Sequence, residues 1–271
     1  MKAASRESLS HTLEALDNTL AQESGVAVAT LTGMELFEVT QTLEDNRELR
    51  VALVDESTSD ISRKALANSL FGARVSPVTM QVLETVVSSK WSSGREMVAG
   101  LTDLSRRALL RGAENEGQLE QVEDELFRLS RILDREGELT QLLSDRAADP
   151  ARKRNLLADV LYGKVTKFTE ALALQVIERP QHNLIDDIAE LAEEVAQLRG
   201  RTVAHVVSAG ELNESQRAVL AEKLGNIYGR AMSIHSEVDT SLLGGMTVRV
   251  GDEVIDGSTA GKLARLRASM K

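Results

Sequence analysis

Residues 236–270 read S-E-V-D-T-S-L-L-G-G-M-T-V-R-V-G-D-E-V-I-D-G-S-T-A-G-K-L-A-R-L-R-A-S-M. Positions 246–256 alternate in side-chain character about Gly251-Asp252, with β-branched Val248, Val250, Val254 and Ile255 on either side. Glycine first in a two-residue loop suits a type II′ turn, so the pattern predicts a β-hairpin. Gly244-Gly245 marks a bend or a close backbone approach just before it. Asp256-Gly257-Ser258 ends the second strand and offers Ser258 as the N-cap of a last helix. On that helix Leu263, Leu266 and Met270 share one face. Lys262, Arg265, Arg267 and Lys271 lie on the others, where cations suit a helix C-terminus.

Upstream, R-T-V-A-H-V-V-S-A at 201–209 and residues 231–238 read as two more strands. Between them Asn213 and Gln216 form a capping box, and Leu220, Leu224 and Ile227 give the following helix an apolar face. This is a small α/β domain of about 70 residues, near the lower limit for a self-sufficient core.

Residues 8–200 read as helix after helix, beginning with Leu9, Leu13, Leu16 and Leu20 at helical spacing. Breaks fall at Ser24-Gly25, 57–59, Gly72 and 92–94. The second half repeats the first at an offset of 90: Glu35-Leu36-Phe37 matches Glu125-Leu126-Phe127, Leu43 matches Leu133, and Leu53 matches Leu143. Helical period alone does not explain the further matches of Asp55 with Asp145 and of Arg63-Lys64 with Lys153-Arg154. Phe71-Gly72 aligns with Tyr162-Gly163 after a one-residue slip. The repeat is the size of a small bundle, longer than an ordinary solenoid unit. The predicted fold is therefore mainly α, a duplicated helical-bundle region followed by a small α/β domain. Residues 94–111 are claimed by both copies, as the last helix of one and the first of the next, and a continuous helix over about 94–114 is expected there. Met97, Leu101, Leu104 and Ala108 make one stripe, with Val98, Ser105, Leu109 and Gly112 beside it, which predicts one continuous helix serving both.

The chain has 271 residues, 32 Lys plus Arg against 42 Asp plus Glu, and a net charge of −10. Sequence-independent nucleic-acid binding needs phosphate neutralisation, which this balance disfavours. Without cysteine there is no disulfide, thiolate metal site or thiol catalysis. No secretory h-region or uncharged apolar run of about 18 residues is visible, so a soluble, cytoplasmic chain is expected. No catalytic constellation emerges. His205 and His235 would approach one another if their strands pair, and read as surface or interface residues. Gly261-Lys262 is followed by Leu263, so no P-loop is present. Arg106, Arg107 and Arg111, and Arg128, Arg131 and Arg135, read as solvated faces with local ion pairs. Asp186-Asp187 and Glu193-Glu194 are expected to face solvent, and Trp91 to anchor a core.

V-D-x-S-L-L-G-G, V-R-V-G-D-x-V-I-D-G-S and the L-x-x-L helix resemble the C-terminal signature of the delta subunit of F-type ATP synthases. The mitochondrial oligomycin-sensitivity-conferring protein is the counterpart in that family. The signature positions here are Asp239, Leu242, Gly244, Gly245, Gly251, Asp256, Gly257, Ser258, Leu263 and Leu266. Gly261 departs from the pattern and is expected to weaken the last helix. Asp149-Pro150, Arg152-Lys153-Arg154 and Leu156-Leu157 resemble the proline, lysine and leucine pattern of the family's N-terminal bundle. The resemblance implies three parts: an extra N-terminal repeat over 1–93, similar to the long actinobacterial subunits, a six-helix bundle over 94–200, and the C-terminal α/β domain over 201–271.

The same resemblance implies a peripheral-stalk, or stator, subunit at the cytoplasmic face of the cell membrane. Its partners would be the alpha subunit, gripped through an N-terminal segment, and the membrane-anchored b subunit. It would couple proton-driven rotation to ATP synthesis, with no catalysis of its own, no cofactor, no small-molecule substrate and no nucleic acid. Membrane association would come only through partners. By family analogy alpha binds the first and fifth helices of the bundle, about 95–113 and 165–178. The alternatives are a stand-alone helical adaptor or regulator sharing the fold, and a nucleotide-dependent enzyme using the glycine loops.

Overall fold

The computed structural model describes residues 1–23, 26–145, 147–178, 180, 182–251 and 253–263. Eleven helices come first: α1 (Ala3–Gln22), α2 (Val26–Asp45), α3 (Arg47–Val54), α4 (Asp60–Phe71), α5 (Pro77–Ser88), α6 (Gly94–Asn115), α7 (Leu119–Arg135), α8 (Gly137–Ser144), α9 (Pro150–Leu161), α10 (Lys167–Glu178) and α11 (Leu184–Leu198). An α/β segment follows: β1 (Thr202–Ser208), α12 (Glu214–Tyr228), β2 (Met232–Val238), a 3₁₀ turn (Thr240–Leu242), β3 (Met246–Val250) and β4 (Glu253–Asp256). The mainly α class with a small C-terminal sheet is as expected.

The duplication is visible in the elements. Helices α3 to α6 begin at 47, 60, 77 and 94, and α8 to α11 at 137, 150, 167 and 184, a constant offset of 90. The paired aspartates do the same local work. Asp55 accepts the backbone N–H of Ser57 at 3.0 Å, and Asp145 that of Ala147 at 2.8 Å. Both are Asx turns that end one helix before the next starts. One alignment is corrected: Phe71, 3% exposed, corresponds to Leu161, 4% exposed, with no slip, whereas Tyr162 is 81% exposed.

Packing divides the chain into two compact units, residues 1–119 with 149–179, and residues 120–148 with 180–271. The division cuts through the expected bundle at 94–200. The first unit explains why. Its core runs from Leu16 and Leu36 through Val86 to Met97, Leu101 and Leu104, so α6 completes the bundle of α1 to α5. All eight residues of the two α6 stripes are buried in one continuous helix. Gly33 and Gly112 let α2 lie against it: a Cβ on Gly33 would stand 2.7 Å from Leu109 Cγ, and one on Gly112 2.5 Å from Thr30 Oγ1. Helix α10 joins the same helix, with Gln175 Nε2 donating to Ser105 Oγ at 2.8 Å and Ser105 Oγ to the Gly33 carbonyl at 2.6 Å. Ninety residues before Leu101, Leu104, Ala108 and Gly112 stand His11, Glu14, Asn18 and Gln22, all exposed. Helix α1 is thus a polar cap on the repeat, as terminal repeats need. Trp91, 4% exposed, donates its indole N–H to the Val86 carbonyl at 2.8 Å and anchors this core.

In the second unit the sheet has the order β2-β1-β3-β4, with β1 and β2 parallel and the remaining pairs antiparallel. The parallel pair is joined through α12, a βαβ crossover. The capping box of Asn213 and Gln216 starts α12 as expected. Ala204, Val206, Met232 and Val248 point toward α12 and pack with Leu224 and Leu220. Ile227 does not join them, being 67% exposed, and Tyr228 packs there instead. The opposite face carries the other parity of each strand: His205, Val207, His235, Glu237, Thr247 and Arg249.

Candidate functional site

In the first unit a groove runs between α2 and α10. Met34, Phe37, Gln41 and Asp45 form one wall at helical spacing, and Lys167, Ala171 and Leu174 the other. Leu109 of α6 lies between them. Met34 is 40% exposed, and its neighbour Leu31 48%. Glu38 and Asp45 put acid on the α2 rim, while Arg154 and Lys167 put base on the rim of α9 and α10. Arg154 pairs with Glu178 at 3.3 Å and Lys167 with Glu116 at 2.6 Å. Gln175, 1% exposed, leaves its Oε1 without a donor among the described residues. Two parallel stripes of this kind form a seat for a third amphipathic helix.

The second unit holds a polar layer between its helices and the sheet. Glu123 on α7, 2% exposed, bonds to Arg199 at the end of α11 and accepts from His235 Nε2 at 3.0 Å. An ionised carboxylate only accepts, which assigns the proton of that bond to the imidazole. Phe127 stacks on the His235 ring at 4.3 Å. The register of β1 on β2 sets His205 directly beside His235, their ring centroids 5.8 Å apart. His205 Nε2 lies 3.1 Å from Glu193 of α11. Burial raises the Glu123 carboxyl, but hydrogen bonds from His235 and Arg199 outweigh that and hold it below the usual glutamate range. Burial and the neighbouring His235 push His205 below the usual histidine range, against the opposing pull of Glu193.

The reading of the histidines as ordinary surface or interface residues is corrected for His235, which is 2% exposed, while His205 is half-buried. No short-range spacing could find Glu123, which lies 112 residues away from its partner. The expectation for Asp187 is corrected too: it is 7% exposed and accepts the backbone N–H of His182 at 3.0 Å, ordering the turn before α11. Arg128 on Asp124 and Arg131 on Asp134 are local pairs as read, whereas Arg131 also reaches Glu237 and Arg107 pairs with the distant Asp17 of α1.

The two units use corresponding positions differently. Gly33 and Leu109, where α2 crosses α6, correspond to Glu123 and Arg199. Gln41, bonded to Glu178 of α10, corresponds to Arg131, bonded to Glu237 of β2 at 3.2 Å. The same face of the second helix takes α10 in one unit and the sheet in the other.

The glycine-rich signature is a set of turns and caps. Asp239 accepts the N–H of Ser241 at 2.8 Å and starts the 3₁₀ turn containing Leu242. Leu243 at φ 59°, Gly245 at 75° and Gly251 at 58° are left-handed, Gly251 opening the two-residue hairpin loop. A Cβ on Gly245 would meet the Gly257 carbonyl at 2.5 Å, and one on Gly244 would meet Thr259 Oγ1 at 2.8 Å. Asp256 accepts from Ser258 N at 2.9 Å, and Ser258 Oγ accepts from Gly261 N at 2.9 Å, capping helical residues 259–263. Gly261 is therefore no defect: a Cβ there would lie 1.8 Å from the Asp256 carboxylate. Leu263, on the expected apolar face of the last helix, is 43% exposed, and Leu266 lies outside the described residues.

Fold and site together define a class, a two-copy helical repeat followed by a βαβ-hairpin module. The model of the ATP synthase delta (OSCP) subunit family matches residues 106–270, and the chain belongs to that family. Similar relatives named ATP synthase subunit delta come from Corynebacterium aurimucosum, 66% identical over 270 residues covering all of both chains, and from Corynebacterium glutamicum, 64% identical over 269 residues covering 99% of each. A third, from Corynebacterium diphtheriae, is 60% identical over 272 residues, again covering all of both. The first copy of the repeat is thus present in these relatives as well.

Proposed function

We propose that this chain is a non-catalytic stator link of an F-type ATP synthase, joining the alpha subunit of the catalytic head to the membrane-anchored b subunit at the cytoplasmic face of the membrane. Residues 1–93 are an extra repeat, 94–200 the family-type bundle and 201–271 the C-terminal module. The observation that carries this reading is the pair of separate docking features. A helix-accepting groove lies in the first unit, and apolar Leu243, Val254, Ile255 and Leu263 are exposed at points along the signature segment of the second. The groove takes the N-terminal segment of alpha, and the C-terminal module takes b. Among the described residues no helix is long and apolar enough to cross a membrane, so b supplies the anchor.

Co-expression with alpha and b tests the reading. The chain is expected to co-purify with each partner separately, and Leu243→Asp with Val254→Asp to release b while alpha stays bound. Calorimetry with ATP should give no binding in the micromolar range. Retention of neither subunit, or tight ATP binding, would favour the adaptor or nucleotide-dependent alternatives.

A further inference from the structure

We infer that the extra N-terminal repeat is a working part of the alpha-docking site: its second helix, α2, forms one wall of the groove that receives the partner helix. This rests on the assignment of the groove to alpha. The family pattern places that site on α6 and α10, yet α6 offers little surface. Both of its stripes are buried, one of them against α2 through Gly33 and Gly112. What remains open is the channel between α2 and α10, floored by the buried Leu109 of α6. The partner therefore touches both copies of the repeat at once.

The groove specifies the occupant's chemistry. Met34 and Ala171 face it from opposite walls and require an apolar stripe on the incoming helix. Acid at Glu38 and Asp45 along the α2 rim orients it, whereas Arg154 and Lys167 on the other rim are already paired with Glu178 and Glu116 and stand beside Glu170. The helix that fits has a basic residue on the α2 side of its stripe.

The test uses the full chain and a synthetic peptide of the first 25 or so residues of the cognate alpha subunit, titrated calorimetrically. Met34→Glu on α2 and Ala171→Glu on α10 should each weaken binding by about tenfold or more. Ile61→Glu, at a site 82% exposed on α4, should leave it unchanged. Glu38→Lys, a fully tolerable surface change, should weaken binding at low salt and lose that effect at high salt. If Ala171→Glu weakens binding while Met34→Glu and Glu38→Lys do not, alpha docks on the second copy alone and the inference is wrong. If the unaltered chain does not bind the peptide, the assignment of the groove to alpha fails first.

Discussion

Glu123 is the residue on which the second unit turns, because it is buried against a guanidinium and an imidazole that arrive from different elements. Removing one partner of such a group leaves a buried charge uncompensated, and Arg199→Met should cost about 3–5 kcal/mol. Chemical denaturation read by circular dichroism would measure it; a loss below 1 kcal/mol would mean that water solvates the carboxylate instead. Acid should loosen the same layer in two stages. His205 has a lowered folded pKa, so the unfolded chain takes up the proton first, and stability declines as pH falls below about 6.5. Glu123 is also lowered, so its contribution is full above about 4.3 and is lost as pH falls through its folded value. The groups facing the histidines are Glu123 and Arg131 from α7, Glu190 and Glu193 from α11, and Glu237 and Arg249 from the sheet. Thermal melts between about pH 7.5 and 5.5 should show a smaller slope for His205→Asn than for the unaltered chain. The pairing of His205 with His235 was legible from strand pattern alone. The partner Glu123 was not, because a buried ion pair between distant segments leaves no periodic trace.

Helix crossings and caps explain where glycine is required. Gly33→Ala would thrust a methyl against both Leu109 Cγ and the Leu109 backbone N, 2.9 Å away, where nothing can rotate aside. The two helices must then separate, at about 1–3 kcal/mol, measurable as a fall in melting temperature. Gly261→Ala inverts the ordinary rule. In a helix interior it should stabilise by about 1 kcal/mol, yet here it should destabilise, because the Asp256 carboxylate occupies the space. An increase in melting temperature for Gly261→Ala would contradict that geometry. The break at 57–59 and Asp149-Pro150 were readable, and Ser59 and Asp149 each cap a helix there through a nearby backbone N–H; Ser76 and Asn183 cap helices in the same way but were not read. The role of Gly261 was hidden, since its constraint comes from a strand end rather than from the helix it sits in.

The duplicated helical order was written in the sequence as a 90-residue offset, and the elements keep it. The packing units were not legible in the same way. Which neighbours the two apolar stripes of α6 bury against depends on tertiary contact, and those contacts gather α9 and α10 into the first unit. A helix buried on both stripes should resist proteases: trypsin should cut slowly at Arg95, Arg106, Arg107 and Arg111 in the native chain, and rapid cleavage there would contradict a continuous packed α6. If the chain acts as the proposed stator it must transmit torque without slipping, and a helix packed by elements of both repeats is a stiff way to do so. The most direct measurement is coupling in inverted membrane vesicles stripped of this subunit. ATP hydrolysis by the head should persist while ATP-driven proton uptake is lost, and adding back the purified chain should restore it. Equal proton uptake with and without the chain would contradict the stator role.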